Sequence, residues 1–349
     1  MTTPNNENDT NNSNIDKVVV KIEQKTESVK KVDANAILST GTLPDGTKYH
    51  VRLMRLDDVD EVLQVWKSIG LYEGTNTIQS FHAIDPEGFY VAVSEKDGSI
   101  IGEVGAVFIE PTTAFIGLYA VRPDCQKMGV GYAVWKQMMK HVGEANVGLY
   151  ALDTQYDMYR NKAKLEIEDP VKIVEFKKIG ETSPETLANL TQSINNVELV
   201  QVGVNDEIIN QIISYDQTVA RHDRSKLIPL IIGEPDALCL AAIDQTSKKL
   251  LGYGVIHTSI LDKAMVGPIF ARSSNIAELL LYHLIDRFPM AKSSGFFLMT
   301  CDCNKDFMET ATKLNCTKEH ILPRLFRSSC PQIEWSQVYC ITSPNYTVV

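Results

Sequence analysis

The residues best suited to chemistry in this 349-residue chain form one short polar stretch between positions 126 and 131. The stretch reads Gln126, Lys127, Met128, Gly129, Val130 and Gly131. Two glycines allow close approach of the backbone to a ligand, and the free amides at a helix start carry roughly half a positive charge. This composition favours the binding of a pyrophosphate.

The elements on either side of this loop would position it. Residues 114–121 are apolar and aromatic, which predicts a buried strand, and Pro123 then ends the strand because it cannot continue the hydrogen-bond ladder. From Val130 the pattern changes to a helical period. The apolar positions four residues apart are Val130, Val134, Met138 and Val142. The sequence therefore predicts a strand, a phosphate loop and an amphipathic helix in succession.

Two familiar phosphate loops fit this stretch poorly. A P-loop requires Lys-Ser or Lys-Thr after its last glycine, whereas Tyr132-Ala133 follows here. A dinucleotide fingerprint requires a small residue at Val134 and an acidic residue about 20 positions later, and the nearest candidate, Asp153, lies late. A tight strand-helix turn with no ligand remains the plain alternative.

A Gln-x-x-Gly-x-Gly loop between a strand and an amphipathic helix resembles the coenzyme A pyrophosphate loop of the GCN5-related N-acetyltransferase (GNAT) family. The predicted order of strands and helices across residues 46–180 is also similar to that family. The resemblance implies an α/β fold whose sheet contains both parallel and antiparallel strands (an α+β mixed sheet). It also implies acetyl-CoA as co-substrate, with the pantetheine arm held by main-chain groups of Ala120 and Val121.

Acetyl transfer from a thioester needs few side chains. Tyr159 occupies the position of the family's tyrosine, although Ala163-Lys164 stands where Gly-Phe usually follows. A phenol can protonate the departing sulfur because its pKa of about 10 lies close to the thiol's ~8.5. Tyr159 is therefore the candidate acid, with a packed aromatic as the alternative. Glu103 is the candidate base, and a surface carboxylate is its alternative.

The second half of the chain carries a weak internal repeat. A shift of 150 residues places Gly117 on Gly267 and Arg122 on Arg272, with apolar strand residues between them. The glycine loop is absent after Arg272, so this copy is not expected to bind coenzyme A. The predicted organisation is a disordered or flexible arm (1–45), a GNAT domain (46–180), a linker (181–197), a degenerate second GNAT-like domain (198–340) and a C-terminal tail (341–349).

Composition excludes several other roles. A formal net charge of −10 argues against a nucleic-acid partner, and the sequence has no apolar run near the ~20 residues of a membrane span. Seven cysteines are an odd number, and no secretion signal precedes them, which indicates a cytoplasmic protein. No His and Cys pattern predicts a metal site. The oligomeric state is left open.

The sequence thus predicts an N-acetyltransferase that acts on the amine of a small molecule. Two alternatives remain: a peptide lysine or N-terminal acetyltransferase, and a non-catalytic acyl-CoA-binding protein. A basic segment within residues 216–227 is either a solvated helix face or a patch that binds the acceptor.

Overall fold

The computed structural model describes residues 33–188 and 196–349. Residues 1–32 of the predicted disordered or flexible arm (1–45) lie outside these ranges. The helices are α1 Val59–Ser68, α2 Thr77–Ile84, α3 Val130–Val142, α4 Asp153–Asp157, α5 Ile208–Ala220, α6 Leu227–Ile232, α7 Ser274–Arg287, α8 Pro289–Ser294 and α9 Lys305–Lys313. The strands of the first half are β1 Ser39–Thr42, β2 Lys48–Leu53, β3 Phe89–Ser94, β4 Ile100–Glu110, β5 Thr113–Val121, β6 Asn146–Tyr150, β7 Ile167–Glu168 and β8 Ile173–Ile179. The strands of the second half are β9 Val197–Val202, β10 Leu238–Asp244, β11 Leu250–Thr258, β12 Ala264–Ala271, β13 Gly295–Cys301, β14 Thr317–Leu322, β15 Arg324–Phe326 and β16 Val338–Cys340.

These strands form two mixed sheets. The first sheet has the order β1-β2-β3-β4-β5-β6-β15-β7, and the second has the order β14-β8-β13-β12-β11-β10-β9 with β16 beside β12. In each sheet most neighbours are antiparallel, and one central pair is parallel: β5 with β6 and β12 with β13. The predicted mixed α/β architecture with two similar halves is confirmed.

The two halves exchange one strand each. The expected GNAT domain of residues 46–180 includes β8, but this strand lies in the second sheet between β13 and β14. In return β15 lies in the first sheet between β6 and β7. The predicted boundaries at 180 and 198 therefore do not separate the sheets. A local apolar pattern predicts a strand but does not specify which sheet the strand joins, because that depends on pairing with distant segments.

The predicted arm and tail also differ from the structure. Ser39–Thr42 pairs with β2, so the first sheet begins inside the expected arm. Residues 341–349 are buried between the two halves rather than forming a tail, and Tyr346, Val348 and Val349 have no exposed surface. This stretch mixes polar and apolar residues without a clear period, so its packing partner could not be predicted.

The core has three parts. Helix α3 covers one face of the first sheet through Val130, Val134 and Met138, and α7 covers the outer face of the second sheet. Side chains of α1, α2, α5 and α6 fill a shared core between the sheets. This shared core fixes the inner faces of the two sheets against each other and walls the cavity described next. No helix in the described ranges is long and apolar enough to cross a membrane.

Candidate active site

The candidate site lies where β5 and β6 diverge. These strands pair only between residues 113–115 and 146–148, and beyond that point a cavity of about 700 Å³ opens beside the free edge of β5. Both halves of the chain contribute to its walls. The second-half strands provide Met299 and Leu322, and the exchanged strand β8 provides Glu175.

The predicted phosphate loop forms the mouth of this cavity. Gly129 has φ 88° and precedes α3, and Gln126 Nε2 donates to the carbonyl of Val121 at 3.1 Å. The first helical hydrogen bond runs from Ala133 N–H to the carbonyl of Gly129, so the amides of the preceding positions are free for an anion. No acidic side chain lies in the first turn of α3. The loop thus fits a pyrophosphate.

Gly131 is needed for a close packing contact in the loop. A Cβ atom at this position would lie 2.7 Å from the Tyr119 hydroxyl oxygen. Lys127 adopts φ 62°, and both its side chain and that of Gln126 line the cavity. Met128 is partly exposed in the loop, and Val130 is buried at the start of α3. The six predicted loop residues therefore divide between those that face the cavity and those that fix the loop.

A bulge interrupts β5 beside the cavity. Leu118 has φ 52°, and the pairing register of β4 with β5 shifts between Glu103 and Gly105. Arg122 N–H donates to the carbonyl of Ile101. Because antiparallel pairs alternate, the main-chain groups of Ala120 point toward β4, whereas those of Val121 point toward the cavity. Of the two residues expected to hold pantetheine, Val121 has the required main-chain direction, and Ala120 lines the wall.

Tyr159 lies at the cavity. It belongs to a short π-helical segment, Met158–Lys162, directly after α4, and its ring packs near those of Tyr119 and Trp135. Burial raises the pKa of the Tyr159 phenol, so the hydroxyl keeps its proton. No other residue in the described ranges forms a hydrogen bond with it. The hydroxyl is thus available to donate to a ligand atom.

Glu103 is not part of the cavity wall. It is fully buried, and neither carboxylate oxygen has a hydrogen-bond partner in the described part of the chain. Its neighbours in register are Val91 and Ala120, which both belong to the shared core. Burial, with a smaller contribution from Glu61, raises the pKa of Glu103 well above its usual range. The prediction of Glu103 as a base facing the cleft therefore disagrees with its position. Strand periodicity identifies two faces but not which face the cleft adjoins.

A different carboxylate does line the cavity. Glu175 on β8 is 6% exposed, and its Oε1 accepts a hydrogen bond of 2.8 Å from the Tyr72 hydroxyl. The Tyr72 ring stacks on Phe297, with centroids 3.9 Å apart. Burial raises the pKa of Glu175, while the Tyr72 hydrogen bond lowers it. Sequence reasoning missed this residue because it reaches the site only through the strand exchange.

The segment from Ser343 to Asn345 was also missed. Asn345 Oδ1 accepts a hydrogen bond from Leu118 N–H at 3.0 Å, and its Nδ2 donates to Glu73 Oε2 at 2.8 Å. Ser343 Oγ donates to the same Glu73 oxygen at 2.6 Å. Pro344 and Asn345 line the cavity. The segment therefore supplies part of its wall and holds the bulge of β5 in place.

Two further donors at the cavity have no partner in the described ranges. Both Trp66 Nε1 and the Tyr150 hydroxyl are buried without a hydrogen bond, and both residues line the cavity. A buried donor without a partner costs roughly 1–3 kcal/mol. These groups are therefore suited to donate to a polar atom of a ligand.

The equivalent gap in the second sheet is filled by the protein itself. Strands β12 and β13 also pair only at their start, over residues 264–266 and 296–298. Beyond that point β16 pairs with β12 through Ile269 and Phe270. After β12 the chain enters α7 within three residues of Ala271, without a glycine loop. The basic segment at 216–227 lies outside the cavity wall, and its Arg224 is buried against Val349 and Thr342.

The described residues contain no group of three or more His, Cys, Asp or Glu side chains placed to hold a metal ion. The arrangement consists instead of free amides, a strand edge, a phenol and one carboxylate. Such groups can bind an extended anionic ligand along β5 and polarise or protonate it, as acyl transfer requires.

Comparison with known proteins agrees with this geometry. Residues 56–163 match a model described as acetyltransferase (GNAT) family, and residues 212–340 match one described as acetyltransferase (GNAT) domain. Together these stretches cover more than half of the chain. The chain belongs to the GNAT acetyltransferases and carries two such domains in tandem. A search of curated proteins gave no match.

Solved structures share this fold over most of the chain at low sequence identity. A putative acetyltransferase from Pyrococcus horikoshii is 16% identical with a TM-score of 0.65, over 92% of this chain and 99% of the other. A tandem GNAT protein from the clavulanic acid biosynthesis pathway is 13% identical with a TM-score of 0.58, over 80% and 98%. A GCN5-related N-acetyltransferase from Sphaerobacter thermophilus is 14% identical with a TM-score of 0.55, over 85% and 100%. These similarities establish the fold, and the site must be judged from this chain's own residues.

Proposed function

We propose that the chain transfers an acetyl group from acetyl-CoA to the amine of a small molecule. One observation carries this proposal: a single cavity connects the free amides at the start of α3 with the bulged edge of β5 and the Tyr159 ring. The family supplies the reaction class, and the loop supplies a place for the pyrophosphate. A cytoplasmic location is part of the proposal and is supported by cysteines that are all free.

Each residue would act at a defined point along acetyl-CoA. The amides around Gly129 and Gly131 would bind the pyrophosphate, and Lys127 would add a positive charge beside it. Main-chain groups of Val121 would hold the pantetheine arm along the edge of β5. Amide N–H groups near the bulge would polarise the thioester carbonyl, and Tyr159 would protonate the departing sulfur.

A small acceptor is favoured over a peptide because the cavity is walled by both sheets. Tyr72 from the loop after α1 and Glu175 from the second sheet line the cavity, and Pro344 and Asn345 add a further wall. An extended peptide needs an open groove or an exposed strand edge, along which its main chain can lie. The walls around this cavity leave more room for a compact amine than for such a chain.

Two measurements on the full chain test the proposal. Calorimetry with acetyl-CoA should give one binding site per chain, because the second sheet has no loop and its gap is filled by β16. Thiol release should then appear with some members of a panel of small amines. Two sites per chain would contradict the silent second domain. Binding without turnover on any amine would indicate an acyl-CoA-binding protein, and acetylation of peptide arrays alone would indicate a protein acetyltransferase.

A further inference from the structure

The charges that line the cavity are few and separated. Among the described lining residues only Lys127 has a basic side chain and only Glu175 has a carboxyl group. Lys127 belongs to the loop before α3, and Glu175 belongs to the second sheet. An anionic ligand would therefore meet a cation at one end, and a cationic ligand would meet a carboxylate at the other.

The surroundings of Glu175 are apolar apart from one hydroxyl. Met299 lies directly opposite Glu175 on β13, and Leu322 lies on β14, the other neighbour of β8. Ile69 and Leu71 precede Tyr72 and also line the cavity. A ligand that reaches the carboxylate must therefore lay most of its body against aliphatic and aromatic side chains, where burial of apolar surface favours binding.

Glu175 is held in one orientation by its only hydrogen bond to a side chain in the described ranges. Its Oε1 accepts from the Tyr72 hydroxyl, and burial raises the pKa of that phenol well above its usual value, so Tyr72 remains the donor. The Tyr72 ring is fixed in turn by stacking on Phe297. The second oxygen of the carboxylate is left to meet a ligand cation.

From this arrangement we propose that Glu175 binds the acceptor as an ammonium ion and removes its proton, and that the acceptor is a monoamine with an apolar body. The inference rests on the proposed acetyl transfer. In the reaction, one proton passes from the ammonium to Glu175 and then to solvent. The neutral nitrogen forms the new bond to the acetyl carbon, and the carbon–sulfur bond breaks. Tyr159 gives its proton to the thiolate, the amide nitrogen loses its second proton to solvent, and solvent returns one proton to Tyr159, so that one proton in total is released.

Other titratable groups around Glu175 would modify its action. Tyr72 contacts it from the loop after α1, Lys177 follows on β8 itself, and Glu319 and His320 lie on β14. Burial raises the pKa of Glu175 above that of an exposed carboxyl. A higher pKa brings the carboxylate closer to the basicity that proton removal near neutral pH requires.

The first experiment measures the pH dependence of kcat/KM for an apolar amine such as phenethylamine. Glu175→Gln should lower kcat/KM at neutral pH by about 10²-fold. The loss should shrink as pH approaches the amine's own pKa, where neutral amine is present without a base. Glu309→Gln is the matched control, since it removes an exposed carboxylate that lies outside the cavity wall and is not among the groups that act on Glu175. Both variants should retain the wild-type affinity for acetyl-CoA.

The inference would be overturned if kcat/KM changed with pH in the same way in both variants. It would also be overturned if the Glu175→Gln enzyme kept the wild-type pH profile. Failure of the wild-type enzyme to bind acetyl-CoA would instead overturn the proposed function, so the two failures are distinct. If Glu175→Gln does not fold, the wild-type protein still decides the question. Phenethylamine should bind to the wild-type protein more tightly than phenethyl alcohol. Amino acids with a free α-carboxylate should be poor substrates. Equal binding of amine and alcohol, or a preference for amino acids, would contradict the proposal.

Discussion

The side-chain oxygen of Asn345 accepts a hydrogen bond from the main-chain N–H of Leu118, which lies 227 positions earlier in the chain. Leu118 sits at the bulge of β5 with φ 52°, a conformation that costs roughly 1–2 kcal/mol in a residue with a Cβ atom. The same Asn345 amide donates to the buried carboxylate of Glu73. One side chain near the end of the sequence thus stabilises the strained point of a strand in the first half.

Replacement of Asn345 tests this link. Asn345→Ala leaves the Leu118 N–H without its acceptor and removes one of the hydrogen bonds that Glu73 accepts. The free energy of unfolding should therefore fall by about 1–3 kcal/mol. Asn345→Asp keeps an acceptor for Leu118 but places a second carboxylate against Glu73, so it should also destabilise the protein, and more so as pH rises. Urea unfolding at two pH values measures both effects. An Asp variant as stable as wild type would show that the Glu73 contact is unimportant.

The phosphate loop can be tested with a matched pair of glycines. Gly129 and Gly46 both have φ 88°, and at both positions an added Cβ would meet no other atom within 4 Å. Gly129→Ala and Gly46→Ala should therefore lower stability by a similar amount, about 1 kcal/mol each. Only Gly129 precedes α3, so calorimetry should show a loss of acetyl-CoA affinity of about tenfold or more for Gly129→Ala alone. Equal affinities in the two variants would remove the loop from the binding site.

Tyr159→Phe tests the proposed acid. Loss of the hydroxyl should lower kcat and leave acetyl-CoA affinity unchanged, because the proton transfer occurs only in the transition state. A thiolate is already a good leaving group, so the decrease should lie near the lower end of the roughly 10²- to 10⁴-fold range for general acids. Tyr132→Phe is the control, since Tyr132 also lines the cavity but is 70% exposed. A Tyr159→Phe enzyme with wild-type kcat would exclude this role.

Glu103→Gln should affect stability rather than activity. The folded-state pKa of Glu103 is raised above 4.5, so the folded protein keeps this proton while the unfolded chain loses it. Stability contributed by this group is therefore lost as pH rises above about 4.5, and a neutral Gln avoids that loss. The variant should be more stable than wild type at pH 7, with a difference that shrinks toward acidic pH. Thermal melts across this pH range measure the stability difference, and the variant of an exposed carboxylate, Glu95→Gln, is the control. A large loss of kcat in Glu103→Gln would contradict the assignment of a structural role.

Sequence reasoning located the parts of the site that depend on neighbouring residues. The loop at 126–131 and the helix from Val130 follow from glycine spacing and a change of apolar period, and both lie where expected. Tyr159 lies at the cavity, although its π-helical segment could not be foreseen from a missing Gly-Phe. These features are encoded within a few turns of chain, so a local pattern contains enough information to place them.

The remaining groups depend on contacts between distant segments. Glu175 reaches the cavity because β8 joins the second sheet, and Asn345 reaches it because residues 341–349 pass between the halves. No local pattern distinguishes these residues from an ordinary strand carboxylate or a tail amide. Glu103 shows the opposite error: it was predicted to be the base, but its side chain lies in the shared core and not at the cavity.

The exchange of β8 and β15 also sets an order for folding during synthesis. The ion pair of Asp169 with Arg324, at 2.8 Å, joins positions 155 residues apart beside the inserted strand. At roughly 5–20 residues per second, the ribosome needs about 8–30 s to make that length of chain. Until then the β6 edge lacks its neighbour β15, and the first sheet is incomplete. The nascent first half must therefore wait for the second half, and a gene split between the two domains would produce two partners that complete each other only after they meet.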